Sequence, residues 1–133
     1  MILPTYVIVI AIIKCKEKYL IGKRAAHKQF APNEWELISG FIDSKESAED
    51  IILREIKEET QLSGKILKEG LPFTIADEEA RWIVVPFRVV VSSNKAMVNV
   101  KDHSELMWVT KRELTEYTDL RIFLTELVKQ GLL

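Results

Sequence analysis

The first third of the chain alternates long apolar runs with short charged breaks. The run "TYVIVIAII", residues 5–13, is rich in Val and Ile and predicts a strand that is buried on both faces. After a short charged turn, "KYLIGKR", residues 18–24, predicts the partner strand of a hairpin. A loop-like stretch over residues 25–33 then leads into "WELIS", which predicts a short third strand ending at Gly40.

The second half of the chain contains three more strand patterns. They are "GKILKEG" at residues 64–70, "RWIVVPFRVVV" at residues 81–91 and "ELMWV" at residues 105–109. Pro86 lies inside the longest of them. Because proline lacks the amide donor that a sheet uses, it predicts a bulge or an edge position at this point.

Helical spacing appears in three segments. Ser47 and Asp50 match a capping box and predict a helix from about residue 48 to about residue 61. A second capping box, Thr110 with Glu113, opens "TKRELTEY". The last segment carries an apolar stripe at helical spacing before Gly131, formed by Leu120, Phe123, Leu124, Leu127 and Val128. This order of elements predicts an α/β or α+β fold with a mixed sheet flanked by helices.

Length and charge narrow the class of protein. The chain has 133 residues with 47% apolar content, so residues 1–133 are predicted to form a single domain. Its 19 basic residues nearly balance 20 acidic ones, which predicts no surface for nucleic acid or a membrane. The apolar start is shorter than the roughly 20 residues that cross a bilayer and lacks a signal-peptide pattern, so we expect a cytoplasmic protein. The sequence does not distinguish a monomer from a homodimer.

Three carboxylates interrupt the apolar face of the first predicted helix. Glu55, Glu58 and Glu59 fall on one side of it at about 100° per residue. The same side carries Ala48, Ile51, Ile52 and Leu62. Burying like charges without partners costs several kcal/mol each or forces them to bind protons. Arg54 can pair with one of them, whereas a hard divalent cation such as Mg²⁺ can neutralise all three. A solvated charged face is the alternative.

The segment "GFIDSKESAEDIILREIKEETQL", from Gly40 to Leu62, resembles the Nudix box G-x5-E-x7-R-E-U-x-E-E-x-G-U, where U is a bulky aliphatic residue. The matching residues are Gly40, Glu46, Arg54, Glu55, Ile56, Glu58, Glu59 and Leu62. Gln61 stands where the family has glycine, and Ser39 departs from the Pro-Gly-Gly of many relatives. Since glycine usually supplies a left-handed helix cap, we expect Gly64 to take over that role.

The resemblance implies a Nudix-type mixed sheet between helices and hydrolysis of a nucleoside diphosphate linked to another moiety. It implies Mg²⁺ as cofactor, with Mn²⁺ able to substitute. The implied metal ligands are Glu55, Glu58, Glu59 and the carbonyl of Gly40. Arg54 would orient a helix carboxylate, and Glu46 would be an outer-shell ligand or a support for the metal-bound water. Two glutamates are candidates for the general base, Glu55 and Glu105, with a surface position as the alternative for Glu105.

Five further residues are candidates for contact with the substrate. Arg24 would reach a phosphate, and His103 would contact substrate or assist the base. The candidates to stack on the base are Phe30, Trp35 and Trp82. A surface arginine, a solvated histidine and core aromatic residues are the respective alternatives. The small size and the absence of features common in relatives that act on other substrates favour a (d)NTP pyrophosphohydrolase that releases a nucleoside monophosphate and pyrophosphate. An ADP-ribose or other nucleotide-sugar hydrolase and a non-catalytic nucleotide-binding module stay open.

Overall fold

A computed structural model describes residues 2–133. Its strands are β1 (Thr5–Cys15), β2 (Lys18–Arg24), β3 (Trp35–Glu36), β4 (Ile38–Phe41), β5 (Gly64–Glu69), β6 (Phe73–Ala76), β7 (Arg81–Val91) and β8 (His103–Thr110). Its helices are α1 (Ala48–Thr60), α2 (Lys111–Leu114) and α3 (Arg121–Lys129), and a short 3₁₀ turn, Thr118–Leu120, precedes α3.

The two longest strands lie side by side at the centre of the sheet. β1 and β7 run parallel from the pair Thr5 and Arg81 to the pair Lys14 and Val90. β1 also pairs with β4 and β2, while β2 pairs with β3 and β8, all antiparallel. On the far side, β5 and β6 both pair with β7 in antiparallel fashion. The sheet is therefore mixed, as the sequence predicts.

A hydrophobic core lies on each face of this sheet. On one face, α1 packs its isoleucines against β1, β4 and β7. On the other face, the C-terminal segment packs leucines from α2, the 3₁₀ turn and α3. Because β1 alternates its side chains between the two faces, its residues contribute to both cores. The predicted sandwich of a mixed sheet between helices is confirmed.

Two strand predictions need correction. The segment "WELIS" is not one strand, because it splits at Leu37 into β3, which pairs with β2, and β4, which pairs with β1. Leu37 and Ile38 enter opposite cores, so the chain changes partner strand between them. β6 was absent from the sequence prediction, since "FTIA" is short and lies between Pro72 and the turn at Asp77.

Pro86 lies in a central strand, so an edge position is the wrong prediction. Its carbonyl accepts a hydrogen bond from the amide of Gly70, which lies between β5 and β6. In a strand, the nitrogen and carbonyl of one residue face the same side. The donor that Pro86 lacks would therefore face the break between these two short strands. The irregular register lies in β5, between Ile66 and Lys68.

The helices follow their predicted starts more closely than their predicted ends. Ser47 caps α1 by accepting the amide of Asp50, and the capping box of Thr110 and Glu113 is complete. α2 is only four residues long. In the last segment Leu120 belongs to the 3₁₀ turn rather than to the helix, and Val128 is 51% exposed because it lies off the buried stripe.

The end of α1 differs from the expectation for Gly64. Gln61 itself adopts the left-handed conformation, with φ 64° and ψ 7°, and its amide donates to the carbonyl of Lys57. Gly64 instead begins β5. A residue with a Cβ pays a conformational cost in this region that glycine avoids. Gln61 is exposed, so nothing in the core compensates for that cost.

Replacing Gln61 by glycine is expected to stabilise the protein by about 1 kcal/mol, because it removes the strain of the left-handed cap. Thr115→Gly is the matched control, since Thr115 caps α2 with an ordinary φ of −69° and should lose stability on substitution. Urea unfolding of the three proteins measures the free energy of unfolding. A Gln61→Gly variant less stable than the wild type would contradict the role of the strained cap.

Candidate active site

Three buried isoleucines fix the orientation of α1 against the sheet. Ile51, Ile52 and Ile56 are fully buried, so the helix side next to them faces β4. Glu55 is half-buried on that side and lies against Gly40. A Cβ at Gly40 would lie 2.6 Å from Cγ of Glu55, so only glycine allows this approach. This contact joins the start of the box to its helix.

Arg54 binds three carboxylates at the edge of the site. Its guanidinium donates to Glu46 at 2.8 Å, to Glu55 at 3.2 Å and to Glu58 at 3.3 Å. The hydrogen bonds from Arg54 hold the pKa of Glu46 below its usual range. Glu55 and Glu58 both contact the same nitrogen of Arg54, so they lie next to each other, but the side chain of Glu58 is 54% exposed. Its role as a metal ligand stays a prediction.

Glu59 is the carboxylate that the fold buries most deeply, with 4% of its surface exposed. Burial raises its pKa to about 11, and the neighbouring carboxyl groups of Glu55 and Glu36 act in the same direction. Its Oε2 atom has no hydrogen-bond partner. A buried acceptor without a donor costs free energy unless a proton or a cation lies next to it. Glu59 is therefore neutral at pH 7 when no cation is bound.

His103 lies beside Glu59 in the interior. Its Nε2 is 2.8 Å from Oε2 of Glu36, and its Nδ1 is 3.7 Å from Oε1 of Glu59. The imidazole has no exposed surface, so the alternative of a solvated histidine is wrong, while contact of His103 with substrate stays a prediction. Carboxylate and imidazole atoms of Glu36, Glu59 and His103 lie within 4.8 Å of one another.

A cavity of about 560 Å³ extends from these carboxylates to the C-terminal segment. Its aromatic wall consists of Phe30, Phe41 and Trp82. Trp82 stacks on Tyr6 at 4.8 Å and meets Phe30 edge to face at 4.9 Å. Such a wall offers flat apolar surface to a ring the size of a nucleobase. Of the residues predicted to stack, Phe30 and Trp82 belong to this wall.

Trp35, the third residue predicted to stack, also lines the cavity, but its ring packs against Tyr117 in the core on the α3 side. Its amide donates to Asp119 at 3.0 Å. Glu34 lies next to Asp119, and partial burial together with that carboxylate raises its pKa. The end of the cavity near α3 is therefore acidic.

Arg24 lines the cavity, yet its guanidinium is already paired. It donates to the carbonyl of Phe30 at 2.8 Å and to Glu36 at 3.0 Å. Lys28, the other basic residue among those that line the cavity, binds Asp102 at 3.2 Å. In the described part of the chain, both cationic side chains of the cavity thus have carboxylate partners. Anionic groups of a ligand would need a further cation.

Glu105 lies outside the cavity. It is exposed and pairs in register with Lys23, whereas His103 pairs with Arg24. One residue of β2 therefore faces two residues of β8, so Ser104 forms a bulge. Without the bulge, strand alternation would place His103 and Glu105 on one face. The bulge separates them, and the role of Glu105 as a base stays a prediction.

Sequence analysis did not identify Glu36, Asp102 or Asp119 as residues of the site. Glu36 carried the clearest signal, because it is a carboxylate inside a short strand next to the box. Its contacts with Arg24 and His103 span 12 and 67 residues of sequence, so spacing along the chain could not predict them.

Comparison with known proteins agrees with this geometry. The NUDIX domain model matches residues 3–130. This chain belongs to the Nudix family. It is 30% identical over 128 residues to a nucleoside triphosphatase NudI of Escherichia fergusonii, covering 86% of this chain and 88% of that protein. A NudI of Escherichia coli is also 30% identical, over 129 residues. The chain is thus a Nudix pyrophosphohydrolase, which confirms the predicted class of enzyme.

Solved Nudix structures share the fold. The crystal structure of a MutT protein from Methanosarcina mazei superposes with a TM-score of 0.83 at 19% identity, covering 97% of this chain and 94% of that one. The NUDIX domain of Shewanella oneidensis NrtR in complex with ADP ribose gives a TM-score of 0.69 at 19% identity, covering 100% of this chain and 90% of that one. No helix within residues 2–133 is long and apolar enough to span a membrane.

The types and positions of the oxygen atoms at this site suit a divalent cation. Glu55 and Glu59 line the cavity with Gly40, and Glu59 has a buried acceptor atom without a partner. Carboxylate and carbonyl oxygens are the ligands that Mg²⁺ prefers. Glu58 and Glu46 lie further out, where Arg54 holds both.

The raised pKa of Glu59 predicts how stability changes with pH in the absence of metal. The pKa of Glu59 is about 11 in the folded state, compared with an ordinary value of 4.5. Below pH 4.5 the carboxyl group is neutral in both states, so its burial does not oppose folding. Between pH 4.5 and 11 only the unfolded state loses the proton, so the free energy of unfolding falls by at most about 1.4 kcal/mol per pH unit. Glu59→Gln removes the titration, so in chelator its stability should exceed that of the wild type increasingly from pH 5 to pH 9.

Thermal melting across that pH range, with chelator present, measures this difference. Glu49→Gln is the control, because Glu49 is exposed on the same helix. Its melting profile should run parallel to that of the wild type. If the Glu59→Gln profile also ran parallel to the wild-type profile, Glu59 would not be held neutral by the fold.

Proposed function

We propose that this protein is a (d)NTP pyrophosphohydrolase that releases a nucleoside monophosphate and pyrophosphate, with Mg²⁺ as cofactor and Mn²⁺ as a substitute. The observation that carries the proposal is the single cavity that joins an aromatic wall to Gly40, Glu55 and Glu59. A nucleobase would pack on the wall while the phosphates lie near the carboxylates. The name of the NudI relatives, nucleoside triphosphatase, supports the same substrate class.

Glu55, Glu59 and the carbonyl of Gly40 would hold the cation. When bound, a divalent ion of this kind neutralises phosphate oxygens and lowers the pKa of water. Arg54 contacts Glu55 and so fixes the direction of its carboxylate. Phe30 and Trp82 would hold the base and exclude water from one side of it.

Between the two candidate bases, the proposal assigns the proton of the attacking water to Glu55. Glu55 lines the cavity and is half-buried, whereas Glu105 is exposed on β8 and faces Lys23. A general base must lie within hydrogen-bond reach of the proton that it takes, directly or through one water. Of the two candidates, Glu55 lies next to the space that a substrate would fill, which supports the assignment.

Hydrolysis of ADP-ribose or another nucleotide sugar is the second candidate. It is favoured by the similarity of fold to the NrtR domain, which was solved with ADP ribose. A monomeric or homodimeric state, a cytoplasmic location and the lack of nucleic-acid partners stay predictions.

A substrate panel tests the proposal. With Mg²⁺ present, the protein should convert nucleoside triphosphates into monophosphate and pyrophosphate faster than it hydrolyses ADP-ribose or nucleotide sugars. Ion-exchange chromatography of the products separates pyrophosphate from inorganic phosphate. Faster hydrolysis of ADP-ribose would support the second candidate, and no turnover of any compound would contradict both in favour of a binding module.

A pair of variants tests the assignment of the base. Because Glu55 is assigned both to the cation and to the proton, Glu55→Gln should raise the metal concentration needed for half-maximal rate. It should also lower kcat by about 10² to 10⁴ even at saturating metal, as expected for a lost general base. Glu105→Gln should change kcat by less than about threefold, because its side chain lies outside the cavity. Steady-state rates over a metal titration measure both values. A large loss in the Glu105 variant together with normal turnover in the Glu55 variant would overturn the assignment.

A further inference from the structure

His103 is held in one position by its neighbours. Its ring covers Gly22, where a Cβ would come within 2.5 Å of Cδ2 of the imidazole. Nε2 lies 2.8 Å from Glu36, and Glu36 is fixed in turn by Arg24 at 3.0 Å and by the hydroxyl of Ser39 at 3.3 Å. Both oxygens of Glu36 therefore have partners, and rotation of the imidazole would break its contact with Glu36.

These contacts decide which nitrogen carries the hydrogen. Glu36 offers a carboxylate acceptor to Nε2, so the N–H lies there. Nδ1 then presents a lone pair, and no hydrogen-bond donor reaches it. Oε1 of Glu59 lies 3.7 Å from Nδ1, and its other oxygen, Oε2, is also buried without a partner. When a cation replaces the proton of Glu59, the two buried residues therefore offer lone pairs to the same region.

The spacing of these groups suits a shared cation. Nδ1 of His103 and Oε1 of Glu59 are 3.7 Å apart, which is too long for a hydrogen bond. Two ligands with bonds of about 2.1 Å to one ion lie about 3.6 Å apart when the angle between them is near 120°. A carboxylate that accepts from the distal nitrogen of a metal-binding histidine is a recurrent arrangement, because it fixes the ring and makes the other nitrogen more basic.

We propose that Nδ1 of His103 and the carboxylate of Glu59 bind a divalent transition-metal ion next to the cavity that Glu36 and Glu59 line, with Glu36 orienting the imidazole. This site shares Glu59 with the oxygen-only site formed by Glu55, Glu59 and the carbonyl of Gly40, but it adds a nitrogen ligand. Imidazole favours Co²⁺, Ni²⁺ and Zn²⁺, whereas Mg²⁺ prefers oxygen. The protein should therefore bind Co²⁺ more tightly than Mg²⁺, whether or not it hydrolyses nucleotides.

Calorimetric titration of the full-length protein with Co²⁺ and with Mg²⁺, without nucleotide, tests the site. In His103→Gln, the side-chain amide can still donate to Glu36 from near the position of Nε2, but the ligand at Nδ1 is lost. This variant should bind Co²⁺ at least about tenfold more weakly, while its affinity for Mg²⁺ changes by less than about threefold. His27→Gln is the matched control, because His27 is the other histidine and is exposed.

Equal affinity of the wild type and His103→Gln for Co²⁺ would overturn the proposal, and so would an equal loss for both metals. A measurement on the wild type covers the case in which the variant does not fold. Long-range ¹H–¹⁵N correlation spectra should show the hydrogen of His103 on Nε2 and a shift of Nδ1 on addition of Zn²⁺. An unchanged Nδ1 signal at saturating Zn²⁺ would also overturn it. Since no nucleotide is present, these results are independent of the test of hydrolysis.

Discussion

Burial of Glu59 between α1 and the sheet is the constraint on which the site depends. The isoleucines of α1 occupy the core and fix the helix, so the carboxyl group cannot move out to water. Its oxygens face Glu36, Glu55 and His103 instead of donors. A buried acid with such neighbours costs stability unless it keeps its proton or gains a cation. The fold thus maintains a group whose charge only a bound ion can compensate.

Two arginines, Arg24 and Arg54, form ion pairs with the other glutamates of the site. Arg54 joins Glu46, Glu55 and Glu58 at the solvent side of α1, where each contact is exposed or half-buried. Arg24 joins Glu36 to the backbone of Phe30, and so links the buried carboxylates with the aromatic wall. Because both guanidinium groups are used inside the protein, anionic ligand groups must depend on bound cations rather than on these side chains.

The parts of the site that sequence predicts are those fixed by local spacing. Arg54, Glu55 and Glu58 lie on α1, and the fixed periodicity of a helix brings Arg54 next to both carboxylates whatever surrounds it. Gly40 lies on β4, and its contact with Glu55 depends on how α1 packs against that strand. The exposure of Glu58 could not be predicted, because it depends on the angle at which α1 meets the sheet. The burial of His103 depends on the bulge at Ser104 and on the missing side chain of Gly22. Neither feature has a periodic signature, and the same holds for the split of "WELIS" at Leu37.

We propose above that the protein hydrolyses a nucleotide bound in the cavity next to Glu55 and Glu59, and that this reaction depends on a metal ion. The most direct measurement is the release of pyrophosphate from nucleoside triphosphates over a Mg²⁺ titration, for the wild type and for the double variant Glu55→Gln, Glu59→Gln. We expect turnover by the wild type that rises with Mg²⁺ and saturates, and a loss of at least about a hundredfold in a double variant that still melts cooperatively. Equal, metal-independent turnover by both proteins would contradict the account.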